Sequence, residues 1–165
     1  MDDRFVLYAT WDRTSATSMD LWVLPLGGGN PRAFVDTPGS DVDGVFSPDG
    51  RWVAYQSDTS GSYQIYLKPF PGPGAARQVS IKGGRSPRFS RDGRKLYFTD
   101  GRKFFVADMN ADGTTGDPIL LFETEARIET YQPAKSGDRF LMMLESDADA
   151  SPSVSVVTGW VSTKR

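Results

Sequence analysis

One segment of this chain recurs. Asp49-Gly50-Arg51-Trp52-Val53-Ala54-Tyr55 returns as Asp92-Gly93-Arg94-Lys95-Leu96-Tyr97-Phe98 and, more loosely, as Gly137-Asp138-Arg139-Phe140-Leu141-Met142-Met143. Asp2-Asp3-Arg4-Phe5-Val6-Leu7-Tyr8 fits the same frame. With Arg4, Arg51, Arg94 and Arg139 as markers, the spacings are 47, 43 and 45 residues. Between the markers the hydrophobic period is 2, in runs of four to seven residues rich in Val, Tyr, Phe, Trp and Leu, broken by Gly, Pro, Asp, Asn or Ser. No uninterrupted stretch is long enough for an amphipathic helix, so the chain reads as all-β. A period of about 40 to 50 residues made of short strands is the signature of β-propeller blades, each a four-stranded antiparallel sheet.

The units divide approximately as residues 1–38, 39–82, 83–125 and 126–165, within one domain. In the second, Val42 to Phe46 is expected as the innermost strand, followed by a Ser47-Pro48-Asp49-Gly50 turn, then Trp52 to Ser57, Gln64 to Lys68 and an outer strand Arg77 to Ser80. The third repeats this as Pro87 to Ser90, Lys95 to Thr99, Lys103 to Asp108 and Pro118 to Phe122. The end units are incomplete. The first offers Arg4 to Thr10, Asp20 to Leu24 and Pro31 to Val35 with no inner strand before them; the last offers Ile128 to Gln132, Arg139 to Leu144 and Ser153 to Trp160 with little left for an outer strand. Consecutive apolar residues such as Trp52-Val53-Ala54-Tyr55 suit strands covered on both faces by neighbouring blades.

At a mean period of 45, a chain of 165 residues holds about 3.7 units, the low end of the four to eight blades of known propellers. An open arc would leave two large apolar faces bare, which proteins rarely do. A closed four-bladed ring, a dimer whose two half-rings close an eight-bladed ring, or further blades upstream would each cover them. The expectation adopted is three and a half to four blades, a half-propeller completed by self-association.

Composition limits the chemistry. The chain has no His and no Cys, which excludes a Ser-His-Asp triad, a thiolate nucleophile, a His- or Cys-based zinc site and disulfides. Its 19 basic and 21 acidic residues lack the basic excess that would neutralise phosphates, so nucleic acid is not an expected partner. The longest apolar stretches are about five residues, against the roughly 20 a membrane-spanning helix needs. Met1-Asp2-Asp3-Arg4 lacks the basic start and apolar run of a signal peptide, so the chain reads as soluble and, if complete, as cytoplasmic.

Candidate site residues are few. Asp108-Met109-Asn110-Ala111-Asp112-Gly113 matches the first half of a calcium loop, but Ile119 stands where the bidentate Glu is needed, so the segment reads as an Asx-rich hairpin turn with no metal. Asp41, Asp43, Asp58 and Glu129 fall on or near loops at one face, where propellers bind ligands, and two carboxylates at a set separation suffice for glycoside hydrolysis. No spacing singles out an acid and its partner. Lys82-Gly83-Gly84-Arg85-Ser86-Pro87-Arg88 is the one basic concentration, in the connection that reaches the channel mouth, where Arg85 and Arg88 would meet an acidic peptide or carboxylate if the loop is more than a solubilising one. Phe70, between Pro69 and Pro71, is expected to plug the base of a blade or a contact between chains rather than to bind peptide.

Three stretches carry a family resemblance. Asp20-Leu21-Trp22-Val23-Leu24-Pro25-Leu26, Phe46-Ser47-Pro48-Asp49-Gly50-Arg51-Trp52-Val53-Ala54-Tyr55 and Tyr66-Leu67-Lys68-Pro69-Phe70-Pro71-Gly72-Pro73-Gly74 resemble the TolB-like, WD40-like (PD40) propellers. Lys68 to Gly74 is similar to the C-terminal propellers of bacterial serine/threonine kinases and regulators, and the closing Val156-Val157-Thr158-Gly159-Trp160 resembles their ends. The fourth unit departs from the pattern, with Lys135-Ser136-Gly137-Asp138 in place of Ser-Pro-Asp-Gly. No Gly-rich phosphate loop or His-Arg-Asp motif is present, so the resemblance carries no kinase activity. The resemblance is specific for the repeat and not for a function; the preferred reading of the residues is a non-catalytic module without cofactor that binds a protein, peptide or small polar ligand. The alternative is a carboxylate-based, carbohydrate-active propeller.

Overall fold

The structure is a computed structural model that describes residues 4–11, 18–135, 137, 139–145 and 154–158. Its strands, all antiparallel, form four sheets. The first holds β1 (Phe5–Trp11), β2 (Met19–Pro25) and β3 (Arg32–Val35). The second runs β4 (Asp41–Phe46), β5 (Trp52–Ser57), β6 (Gln64–Pro69) and β7 (Arg77–Gln78), and the third β8 (Arg85–Phe89), β9 (Lys95–Thr99), β10 (Lys103–Asp108) and β11 (Ile119–Glu123). The fourth holds β12 (Ile128–Pro133), β13 (Arg139–Leu144) and β14 (Val154–Thr158). Among the described residues the first sheet has no inner strand and the fourth has no outer one. No described helix is long and apolar enough to cross a membrane. Ser136 and Asp138 of the fourth turn lie outside the described residues.

A small hydrogen-bond network builds each blade's first turn. Ser47 Oγ donates to Asp49 Oδ1 at 2.6 Å and accepts from the Trp52 amide at 3.0 Å, while the Gly50 amide reaches the Ser47 carbonyl at 2.9 Å. Ser90, Asp92, Lys95 and Gly93 repeat it at 2.7, 2.9 and 3.0 Å. Gly50 and Gly93 hold φ of 70° and 71°, a left-handed conformation that side chains resist. In the fourth blade the Gly137 amide bonds the Ala134 carbonyl at 2.9 Å with φ of 74°, so the turn forms although Ala134 has no hydroxyl to brace it. The same bonds correct one marker of the repeat. The amides of Ser47, Ser90 and Ala134 pair with the carbonyls of Trp52, Lys95 and Arg139, so Arg139 stands where Trp52 and Lys95 do, one position on from Arg51 and Arg94.

The core lies between blades. Leu21, Val23, Phe34, Val53, Tyr55 and Phe70 fill the first seam; Ala54, Ile65, Leu67, Leu96, Phe98 and Ala107 the second; Tyr97, Phe104, Ile128, Tyr131, Phe140 and Met142 the third. Each fully buried Val, Leu, Ile, Phe or Met side chain among them contributes about 1.5–3 kcal/mol. Phe70 is 9% exposed and meets Phe5, Phe34 and Phe46 edge-on at 4.9–5.6 Å, so it plugs the seam between the first two blades and is not a peptide-binding aromatic.

The repeat register shows what the arc leaves open. Val6, Val53, Leu96 and Phe140 occupy one position, and the last three are buried against the preceding blade. Leu7, Ala54, Tyr97 and Leu141 occupy the next, and the first three face the following blade. Among the described residues Val6 has no blade before it and is 41% exposed, and Leu141 and Met143 have none after them and are 50% and 51% exposed. The single chain is thus an open partial propeller and not a closed four-bladed ring.

Candidate functional site

The inner strands β4, β8 and β12 start at one rim, reached by connections 36–40, 79–84 and 124–127, with the turns at 58–63 and 100–102 beside them. Each inner strand carries a bulge soon after it starts, with register breaks between Val42 and Val45, Arg85 and Arg88, and Ile128 and Thr130. Such bulges re-aim side chains next to sites. In the first two, non-glycine residues take left-handed backbone: Asp43 at φ 54° and Ser86 at φ 52°. A conformation of this kind costs about 1–3 kcal/mol and persists where neighbours over-determine it.

The neighbours are on both sides. The Ser86 amide donates to Gln56 Oε1 of the preceding blade at 2.8 Å, and the Ser86 carbonyl accepts from the Tyr131 hydroxyl of the following blade at 2.6 Å. Arg88 Nη1 lies 3.3 Å from Asp43 Oδ1 and donates to the Pro87 carbonyl at 2.7 Å. The three inner strands are therefore tied in series through β8. Burial holds the Tyr131 hydroxyl well above the ordinary tyrosine pKa, so it stays a neutral donor.

The six residues singled out in the sequence separate into three pairs. Asp41 is buried, and its Oδ2 accepts from the Thr37 amide at 3.1 Å and the Thr37 hydroxyl at 2.9 Å. Burial raises its pKa above the ordinary carboxylate value, against the pull of hydrogen bonds from Ser57 and Thr37. Asp58 Oδ1 accepts from the Ser40 amide at 2.7 Å and holds the same connection in place. Asp43 and Arg88 are spent on each other, as the ion pair between β4 and β8. Of the six, Arg85 and Glu129 line one open site together.

That site is a cleft of about 150 Å³ lined by Gln56, Arg85, Ser86, Thr99, Arg127 and Glu129, among others. The Arg85 guanidinium lies over the Tyr63 ring, 4.2 Å from its centroid, and Arg127 Nε stands 3.6 Å from Glu129 Oε1. Arg127, Gln56 and Thr99 escaped the sequence reading. Gln56 stands next to the end of its second strand and Thr99 at the end of its own, and both resemble ordinary strand residues. Aligning the fourth unit on its turn instead of on Arg139 places Glu129 level with Arg85, which points to Arg127 two residues before.

The opposite rim carries two wider clefts, of about 370 and 480 Å³, walled largely by turn residues: Asp49, Arg51, Trp52 and Arg94 in one, Arg91, Asp92, Lys95 and Lys135 in the other. The 108–113 loop closes on itself as an Asx turn. Asp112 Oδ1 accepts from the Thr114 amide and hydroxyl at 2.9 and 2.7 Å, and Lys95 Nζ holds Asp108 at 2.9 Å.

The sequence pattern of the TolB beta propeller domain, PD40, matches residues 8–164. The chain belongs to the TolB β-propeller family. An uncharacterised protein of Agrobacterium fabrum is 28% identical over 149 residues, 87% of this chain and 48% of that relative. Among solved structures, TolB from Acinetobacter baumannii superposes with a TM-score of 0.72 at 20% identity, over 95% of this chain and 38% of that one. An oligogalacturonate lyase superposes at 0.66 and 18% identity, over 95% of this chain and 46% of that one. At such identities the likeness is one of fold, and the TolB fold is shared by binding proteins and enzymes alike. The chain spans about half the length of the Agrobacterium relative.

Proposed function

We propose that this TolB-family chain is a non-catalytic recognition module, a half-propeller that presents its rim to a protein or peptide partner. The observation that carries this is the employment of the rim carboxylates. Glycoside hydrolysis needs two carboxyl groups facing one bond, one of them free to give a proton. Here Asp41 and Asp58 brace a connection and Asp43 pairs with Arg88, which leaves Glu129 in the open cleft with no second carboxyl among the residues that line it. The test is turnover. Incubation with a panel of oligosaccharides, galacturonides included, is expected to release no new ends. Cleavage that disappears in Asp43→Asn or Glu129→Gln would establish the carbohydrate-active alternative instead.

The same reading includes self-association. The exposed face of the fourth blade holds the positions that blades one to three bury against a follower, and the exposed face of the first holds those that blades two to four bury against a predecessor. A second copy placed head to tail would repeat the internal seam at both junctions, and two such contacts related by a twofold axis close a ring. The twofold greater length of the Agrobacterium relative is in keeping with a ring of two such units.

A further inference from the structure

We propose that the cleft between Arg85, Thr99 and Arg127 seats a single carboxylate of a protein partner. This rests on the reading of the chain as a recognition propeller and names what the rim recognises. The donors are specific. The Tyr63 ring takes the flat face of the Arg85 guanidinium, so what Arg85 offers a ligand is its hydrogen-bonding edge. Among the described residues no ion pair uses that edge. Arg127 stands at 3.6 Å from Glu129, beyond hydrogen-bond distance, and keeps its N–H groups for another acceptor. Thr99 Oγ1 accepts from the Gly101 amide at 2.9 Å, which leaves the hydroxyl proton to be given away. Gln56 spends its carbonyl oxygen on the Ser86 amide and retains its amide nitrogen.

Charge selects among anions. Two guanidiniums against one carboxylate leave the cleft with one net positive charge, which a monoanion neutralises. A phosphate dianion would overshoot and meet Glu129. Size agrees, because an open cleft of about 150 Å³ admits a carboxylate and the atoms next to it. The strained Ser86, clamped from both neighbouring blades, fixes the cleft floor before any ligand arrives, so little ordering cost falls on binding.

The test is a titration of the full chain followed by backbone amide NMR shifts. Three peptides are used: one whose sole carboxylate is its C-terminus, one whose sole carboxylate is a Glu side chain with the terminus amidated, and one with neither. Inorganic phosphate is the fourth probe. At least one carboxylate peptide is expected to shift the Ser86, Gly101 and Ile128 amides saturably, and whichever does identifies terminus or side chain as the source. Affinity is expected to fall tenfold or more in Arg85→Ala and Arg127→Ala and to stay unchanged in Arg91→Ala on the opposite rim. Arg85→Lys, which keeps the charge and loses the fork, should lie between, and Glu129→Gln should bind several-fold tighter. Tighter binding of phosphate than of either carboxylate, equal binding by Arg85→Ala, or no shift at these amides would overturn the proposal. Light scattering on the same samples separates the two levels: failed titration of an intact assembly sinks the cleft alone, whereas failure of both sinks the recognition-propeller reading.

Discussion

Ser47 carries more than its size suggests, because its hydroxyl holds Asp49 on one side and the first amide of β5 on the other. Burial works against the charged form of Asp49, but hydrogen bonds from Ser47 and Arg51 outweigh it and hold the carboxyl below its ordinary pKa. Asp92 is lowered in the same way, by Ser90 first and the Arg94 amide next. A carboxylate lowered in the folded state binds fewer protons there than in the unfolded chain. Its stabilisation is therefore complete above the unfolded value of about 3.9 and is lost as pH falls through the folded value. Ser47→Ala is expected to cost about 1–2 kcal/mol at neutral pH in urea unfolding. The deficit should shrink as pH falls through the lowered Asp49 value; a deficit constant with pH would mean that the hydroxyl acts on the backbone alone. Ala134 is the natural counterpart of this variant, and its turn survives on backbone bonds. Single-residue chemistry is where the sequence was least legible. Asp41 and Asp58 fall beside rim loops in the sequence, yet Asp41 is buried with Oδ2 accepting from the neighbouring Thr37, and Asp58 Oδ1 accepts from Ser40, which only folding brings close. Arg85 and Glu129 are 44 residues apart, and nothing local marks them as neighbours.

Strands were far more legible, because alternation and punctuation act locally. Trp52 to Ser57, Lys95 to Thr99, Lys103 to Asp108 and Arg139 to Leu144 fold with the bounds that their apolar runs suggest. Inner and outer strands differ by a residue or two at their ends. Pro87 looked like a strand start, but β8 begins at Arg85, since the bulge places Pro87 where no ladder bond is required of it. Phe70 shows how elements lock into seams. It leaves β6 directly into a turn whose Phe70 amide bonds the Arg51 carbonyl at 2.8 Å, and its ring meets three others from β1, β3 and β4. Phe70→Ala empties that junction and is expected to lower stability by about 3–5 kcal/mol. Chemical unfolding followed by tryptophan fluorescence checks it; a loss under about 1 kcal/mol would show that the seam closes over the gap.

The whole molecule follows from repetition. Four units with one hydrophobic code stack so that each buries the same two faces, and a linear stack always leaves one face of each kind at its ends. Val6 at one end and Leu141 with Met143 at the other are those faces. The number of units was legible from the marker spacing, and the open arc was legible from the missing first and last strands. What covers the ends was not, because a repeat states its own interface without stating whose blade comes next. The decisive measurement is the mass of the purified chain by light scattering at micromolar concentration, beside a Leu141→Lys variant. The parent chain is expected at twice its 18.2 kDa, with a shift to the single-chain mass when the lysine is placed in the seam. A parent chain that runs at 18.2 kDa, with Val6 and Leu141 open to solvent, would contradict that expectation.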